Sequence, residues 1–441
     1  MEHMIQSTDF KSIVKFTLPT VIMMVFVSMY QMVDAVFVSN VVGSSALSAL
    51  NIVYPAISIV VAIAVMLGTG GNAIISRNMG EQKADLARQR FSFVAAIGII
   101  LGIVLAVLGV CFSPVLVRIL GATPELEQDS ITYLSILLAA SPLIILQILF
   151  QSFFVSAGKP QLGLIVTIAG GLANIIFDYI FIVIAKMGVL GAALGTTLGY
   201  AIPAIFGMIY FSVCRKGILY FVLPKWEPSV LFESCSNGSS EMVTNLAFAI
   251  TTFLFNLTML RWLAEDGVAG ITIVLYVQFF LSSVYIGYSM GVAPVISYYY
   301  GKQDSSALKQ IIKNSLLFLV INSVLWFSLS ILLKNSLISV FVAVDSNVFS
   351  IVSDGWVLFS SNYLITGFNI FASSMFTAFS NGKISALISF LRTFAFLCIS
   401  IIALPYVFGV TGIWLSVPIA ELLTLVFSIY FFIKMRAYYK Y

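Results

Sequence analysis

Two stretches of the 441-residue chain match each other: GNAIISRNMGEQKADLARQ (71–89) and GVAPVISYYYGKQDSSALKQ (291–310). Aligning Gly80 with Gly301 sets an offset of 221 residues, and that offset also pairs Ser76 with Ser297, Gln82 with Gln303 and Gln89 with Gln310. Working outward, SAGKP (156–160) resembles SNGKI (380–384) at an offset of 224, and GVLGAALG (188–195) resembles GVTGIWLS (409–416) at 221. Each match alone is weak. Three in one order, at nearly one offset, argue for a duplicated chain.

Composition says what was duplicated. Hydrophobic residues make up 60% of the chain and charged residues 9%, against about a quarter charged in soluble proteins, and mean hydropathy is +1.07. Uncharged stretches at 91–117, 130–158, 187–214, 267–301, 355–382 and 393–420 each exceed the roughly 20 residues that span a bilayer core. Polar breaks divide the sequence into twelve apolar segments, at 13–39, 46–76, 91–117, 131–156, 163–186, 188–213, 239–262, 269–299, 310–333, 355–379, 385–408 and 411–433. Inside a bilayer each backbone must satisfy its own hydrogen bonds, and runs of this length do so as helices. A transmembrane barrel would show alternating segments of about ten residues, which are not seen. The sequence predicts an all-α polytopic membrane protein of twelve transmembrane helices.

Six spans per half is an even number, so both halves share one orientation, which implies a pseudo-twofold axis along the membrane normal. The expected lobes are residues 1–213 and 238–441, joined by a charged, Pro-containing linker at 214–237 whose 229–235 portion forms a short interfacial helix broken at Gly238. With both termini in the cytoplasm, the inner segments hold 17 of the 22 lysines and arginines and the outer loops hold Arg118, Lys186, Arg261 and Lys334, the asymmetry that orients membrane proteins. The acidic loop with Glu125, Glu127 and Asp129 then falls outside as a solvated turn. The first apolar run is too long for a cleavable signal and should remain as an anchor.

Other functions are disfavoured by what the chain lacks. Its one histidine, His3, stands near the amino terminus, which removes His-based catalysis and His-ligated metals. Cys111, Cys214, Cys235 and Cys398 form no CxxC pair and read as small packing residues. A net charge of +4 carried by scattered basic residues gives no footprint for nucleic acid. No clustered catalytic set stands out, so the chain is not expected to be an enzyme.

The informative residues are charges inside spans, where an Asp costs about 2.5–3.5 kcal/mol at a helix centre. Asp34 lies in the first span, fifteen residues past Pro19, with Tyr30 and Gln31 on the same face one turn earlier. Pro19 removes a backbone hydrogen bond and permits a bend. Asp178 lies in the fifth span one turn after Asn174, and Thr196 opens the sixth at a comparable depth. Two carboxylates, an amide and a hydroxyl are hard oxygen ligands, suited to a proton or Na⁺ and not to a transition metal. Fixing helix packing is the competing role for the two acids. At offset 221, Asp34 maps to Phe255 and Asp178 to Ile399, so only the first half keeps the acids and is the specialised one. Arg392, about two turns inside the eleventh span, reads first as snorkelling to the headgroups. Glu421, mid-span beside Pro418, either pairs with Arg392 or contacts a cationic substrate in a cavity with Tyr30 and Gln31. Glu241 opens span seven, where the helix dipole favours an acid. The 37 Phe, 19 Tyr and 15 Met include a subset that would give the cavity an adaptable surface for aromatic cations.

These residues resemble the multidrug and toxic compound extrusion (MATE) family over essentially the whole chain, and 237–269 (NGSSEMVTNLAFAITTFLFNLTMLRWLAEDGVA) looks like its MepA-like bacterial branch. The resemblance makes Pro19 the bending proline and Asp34 the essential acid, with Asn174, Asp178 and Thr196 completing the amino-lobe cation site. If Na⁺ is the coupling ion, Asp34, Asn174, Asp178 and Thr196 are its ligands. It implies a cation-coupled (H⁺ or Na⁺) antiporter of the cell membrane that exports diverse, often cationic amphipathic drugs or toxic metabolites by alternating access, as a monomer and without a cofactor. One departure stands out: the acid some members carry about ten residues past a GLP-type motif is Phe248 here, after Gly238-Ser239-Ser240. A flippase for lipid-linked saccharides, from the same superfamily, is the first alternative, and it should carry several intramembrane basic residues where this sequence has Arg392 alone; an integral membrane enzyme is the remotest.

Overall fold

The long uncharged runs fold as helices, and every regular element among the described residues is helical. The computed structural model describes residues 7–42 and 44–441, without the side chains of residues 32, 34–36, 38–40, 44, 45 and 47. In order the helices are α1 (Phe10–Val41), α2 (Ser44–Gly80), α3 (Ala84–Ile119), α4 (Pro124–Ala139), α5 (Ser141–Ser156), α6 (Pro160–Asp178), α7 (Gly188–Val213), α8 (Pro228–Gly301), α9 (Ser305–Leu332), α10 (Lys334–Ser339), α11 (Asn347–Ser360), α12 (Thr366–Ala378), α13 (Gly382–Phe390), α14 (Phe396–Phe408) and α15 (Val410–Tyr439). Proline opens α4, α6 and α8, where its missing N–H costs nothing and its fixed φ suits the first turn. Two π-helical turns interrupt the pattern, Tyr179–Ile184 after α6 and Leu391–Ala395 between α13 and α14.

Helix count and span count differ for two reasons. The α4–α5 pair bends by 53° at Ala140 and makes one crossing. By contrast α8 is 74 residues long and holds two crossings, because Ala264 leaves the helix at φ 54, ψ −150, a backbone region that only glycine enters cheaply. Counted so, the chain crosses the bilayer twelve times, as the apolar segments predict, and it is a multi-pass membrane protein. The helix break expected at Gly238 does not occur. Helix α8 runs through it from Pro228, because Gly238 packs so closely on the Met66 carbonyl of α2 that a Cβ would collide.

The chain forms two units, one of Ile22–Gly238 and one that joins Ser239–Tyr441 to the described residues up to Val21. In the first, Phe91 stacks on Phe221 at 4.9 Å and Phe211 stands 4.9 Å from Phe91. Segment 214–227 is therefore sewn into this aromatic core, with Leu219 buried and the Phe221 amide donating to the Phe211 carbonyl. Ion pairs Arg77–Glu233 (3.1 Å) and Arg90–Glu227 (3.5 Å) hold the start of α8 to the α2–α3 corner. In the second unit Trp356, Tyr363, Phe255, Met259 and Trp414 form the core. The start of α1 is held there by Thr8, whose hydroxyl donates to Gln310 and whose carbonyl accepts from Asn314. Gly291 supports the same contact, since a Cβ there would meet Thr17 and Thr20.

The duplication is visible bond by bond. After α2 the amides of Glu81, Gln82 and Lys83 donate to the carbonyls of Arg77, Met79 and Asn78; after α8 those of Lys302, Gln303 and Asp304 donate to Tyr298, Tyr300 and Tyr299, each 221 residues on. Gln82 and Gln303 share a left-handed φ of 62° and 60°. The SAGKP match needs a correction. Its turn, with amides of Ala157, Gly158 and Lys159 donating to Phe153, Val155 and Phe154, recurs at Phe379, Ser380 and Asn381, an offset of 222 where the sequence match gives 224. The structural partner of Gly158 (φ 71) is thus Ser380 (φ 58), and not Gly382.

Candidate functional site

In the first unit, α6 and α7 pack through glycine. Gly170 and Gly199 let the two backbones approach, and a Cβ on Gly199 would stand 2.8 Å from Asn174 Cβ. Helix α6 delivers Asn174 and Asp178 one turn apart, both buried at 4% and 2% exposure. Asn174 Nδ2 donates to Asp178 Oδ2 at 3.0 Å. Gly195 of α7 lies directly over the carboxylate: a Cβ would collide with Asp178 Oδ1, so the absence of a side chain at 195 makes the space that the acid fills. Asn174 Oδ1 is buried and makes no hydrogen bond among the described residues. The pocket is therefore rich in oxygen acceptors, and the donor set suits a proton or a small hard cation. A π-helical turn begins at the next residue, Tyr179, a feature that often marks functional sites.

The other predicted residues distribute as follows. Tyr30 reaches this region, because Gly171 of α6 faces the Phe26 and Tyr30 rings. Gln31 is exposed, and Thr196 is half-buried beside Gly195. The Asp34 side chain lies outside the described residues. Pro19 is buried within α1, which runs helical through it, two residues before the helix passes from one unit to the other. Among the described residues no three His, Cys, Asp or Glu side chains cluster as a metal site.

The second unit carries a buried charge pair. Arg392 Nε donates to Glu421 Oε1 at 2.9 Å, with side-chain exposures of 15% and 5%. Asn369 Nδ2 donates to Glu421 Oε2 at 2.7 Å and to its backbone carbonyl at 2.9 Å, while Ser428 donates to Asn369 Oδ1 at 2.8 Å. Glu421 is thus paired with Arg392, one of the two contacts its position in the sequence offered. Where the sequence reading put snorkelling first, Arg392, in the π-helical turn Leu391–Ala395, turns its guanidinium to Glu421. Asn369 and Ser428 escaped the sequence reading, since a lone amide or hydroxyl in an apolar run carries no signal of its own. Ile399, the counterpart of Asp178 at offset 221, is 61% exposed; the turn-based offset of 222 gives Ser400, which is buried, and Phe255, opposite Asp34, is a core residue.

These features belong to a recognised class. The MatE family model matches residues 19–180 and again 242–404, two copies of one pattern whose starts stand 223 residues apart (242 − 19). The chain belongs to the MatE family. Over 420 residues it is 24% identical to the multidrug export protein MepA of Staphylococcus saprophyticus, covering 94% of this chain and 92% of that protein. MepA of Staphylococcus aureus strain NCTC 8325 is likewise 24% identical over 419 residues, with the same coverage. Among solved structures, the outward-facing conformation of a multidrug resistance MATE family transporter of the MOP superfamily matches with a TM-score of 0.90 at 21% identity, covering 97% of this chain and 96% of that one. A MATE in complex with MaL6 matches at 0.89 and 21% identity, over 97% of both. At that identity the likeness is one of fold.

Proposed function

We propose that this protein is a multidrug export transporter of the cell membrane, with both termini cytoplasmic, that exchanges an inward-moving H⁺ or Na⁺ for an outward-moving amphipathic drug by alternating access. The observation that carries the coupling is the buried Asn174–Asp178 pair beneath Gly195. A carboxylate in a dry, acceptor-rich pocket gains strongly from neutralisation by a proton or cation, and Asp34 and Thr196 complete the set. Neutralisation alters the packing of α1 near Pro19, weakens drug binding and commits the cargo outward. Each positive charge carried inward is driven by roughly 2.3 kcal/mol per 100 mV. The chain works as a monomer and uses no cofactor. The Arg392–Glu421 pair speaks against the saccharide flippase, because its guanidinium is already neutralised and does not await a phosphate.

The test is dye export from proteoliposomes under an imposed pH or Na⁺ gradient. Asp178→Asn should abolish gradient-driven export and Asn174→Ala should weaken it. Wild-type rates from Asp178→Asn would overturn the coupling assignment, and the gradient that drives the wild type identifies the ion.

A further inference from the structure

A second feature lies at the other end of α8. Its two arms, on either side of Ala264, and residues 341–342 border an open cavity of about 770 Å³, a volume in the usual range for small-molecule sites. Three of its walls are aromatic: Phe253, Tyr276 and Phe341, all well exposed. Tyr276 and Phe341 lie parallel, with centroids 6.4 Å apart and planes 2° from coincidence. The polar groups are few. Asn256 Oδ1 is buried with no hydrogen-bond partner among the described residues. The Thr272 hydroxyl gives its proton to the Val268 carbonyl at 2.8 Å, which leaves its oxygen as an acceptor. Glu265 makes no ion pair or hydrogen bond among the described residues, while the charges beside it are engaged: Arg261 with the Tyr406 hydroxyl at 2.7 Å, and Asp266 with Asn347 at 2.6 Å.

An apolar, aromatic-walled cavity whose available polar atoms include a carboxylate, an amide oxygen and a hydroxyl oxygen selects a particular chemistry. Ring faces attract a cation, the carboxylate pairs with it, and the buried acceptor meets an N–H. We infer that the cavity between the arms of α8 is a binding site for an organic ammonium cation with an aromatic or aliphatic body, with Glu265 as its counter-charge and Tyr276 and Phe341 as its stacking faces. It is separate from the Asp178 pocket, which lies in the other unit. The inference rests on the export reading in one respect, that the cation is cargo, which the bilayer orientation proposed above would release from this outer end.

Binding to the purified full-length protein in detergent tests it apart from export. The probes are ethidium and an uncharged dye of similar size, followed by fluorescence polarisation. Glu265→Gln should weaken ethidium binding by about tenfold, the scale of a lost charge-assisted contact, and leave the neutral dye unchanged. Tyr276→Ala should weaken both dyes. Asp178→Asn should stop gradient-driven export, and Glu265→Gln added to it should still weaken ethidium binding by about tenfold. If Glu265→Gln and Tyr276→Ala both bind ethidium like the wild type, the cavity is not the site, whatever the export result. If the wild type binds ethidium here and exports nothing under any gradient, the export reading fails and the site stands. If the wild type binds no ethidium, the inference falls.

Discussion

The α6–α7 pair and the α13–α15 group arise from the same part of the repeat, and each bears one π-helical turn. Their polar interiors nonetheless differ in kind. Asn174, a neutral amide, donates to Asp178, whereas Glu421 receives one hydrogen bond from a guanidinium and another from Asn369. An amide bond orients a carboxylate without cancelling its charge; a guanidinium does both. The first arrangement suits a group that must gain and lose a cation, the second a group that must stay put. On the export reading proposed above, one half has kept the coupling site and the other a fixed clamp.

The sharpest way to break this contrast is to exchange function for stability. Removing one partner of a buried ion pair strands the other charge and costs about 3–5 kcal/mol, whereas replacing both with apolar residues of similar volume is often neutral. Arg392→Met should therefore lower the thermal unfolding midpoint of the detergent-solubilised protein sharply, and Arg392→Met with Glu421→Leu should recover most of it. Asp178→Asn should lose export while shifting that midpoint little. If the clamp variants unfold at the wild-type temperature, the two halves do not divide as described.

A smaller effect sharpens the comparison of turns. Ala264 (φ 54, ψ −150) shares its conformation with Gly409 (φ 60, ψ −143) between α14 and α15. Glycine adopts it without strain and alanine does not. Ala264→Gly should stabilise the protein by about 1 kcal/mol, read as a raised unfolding midpoint, while Gly409→Ala should lower it.

The smallest effect concerns the start of α1. Hydrogen bonds from the Ser7 and Ser12 hydroxyls and from the Ser12 amide hold the Asp9 carboxyl down at about 2. A depressed carboxyl contributes stability that is whole above its ordinary value near 4 and is lost as pH falls toward about 2. Amide exchange at Ser12, corrected for intrinsic rates, should stay protected from neutral pH to about 4 and lose protection below it. Asp9→Ala should remove that pH dependence.

Much of the fold was legible because membrane helices declare themselves by length and by the want of charge. The repeat at 71–89 and 291–310 also located equivalent turns to the residue. What the sequence concealed depended on register. A two-residue error placed Gly382 opposite Gly158, because the motif attracts glycine to glycine while the left-handed position of the second copy is filled by Ser380. The π-helical turns have no sequence signature, so the sequence could not choose between the two roles it offered Arg392, snorkelling and pairing with Glu421. At the site, Asn174 and Asp178 were readable from their i, i+4 spacing. Gly195 was not, since its role is to be empty where a carboxylate must sit.

The opening turns of α1 and α8 carry a consequence for the protein's origin. The described residues up to Val21 complete the unit that holds Ser239–Tyr441, and Pro228–Gly238 complete the one that begins at Ile22. A primitive gene coding for a single half would have made a polypeptide lacking a strip of its own interior. Such a product could be whole only as a pair of molecules lending arms to each other. Fusion into one reading frame would then have preserved an existing partnership, and freed each copy to mutate separately.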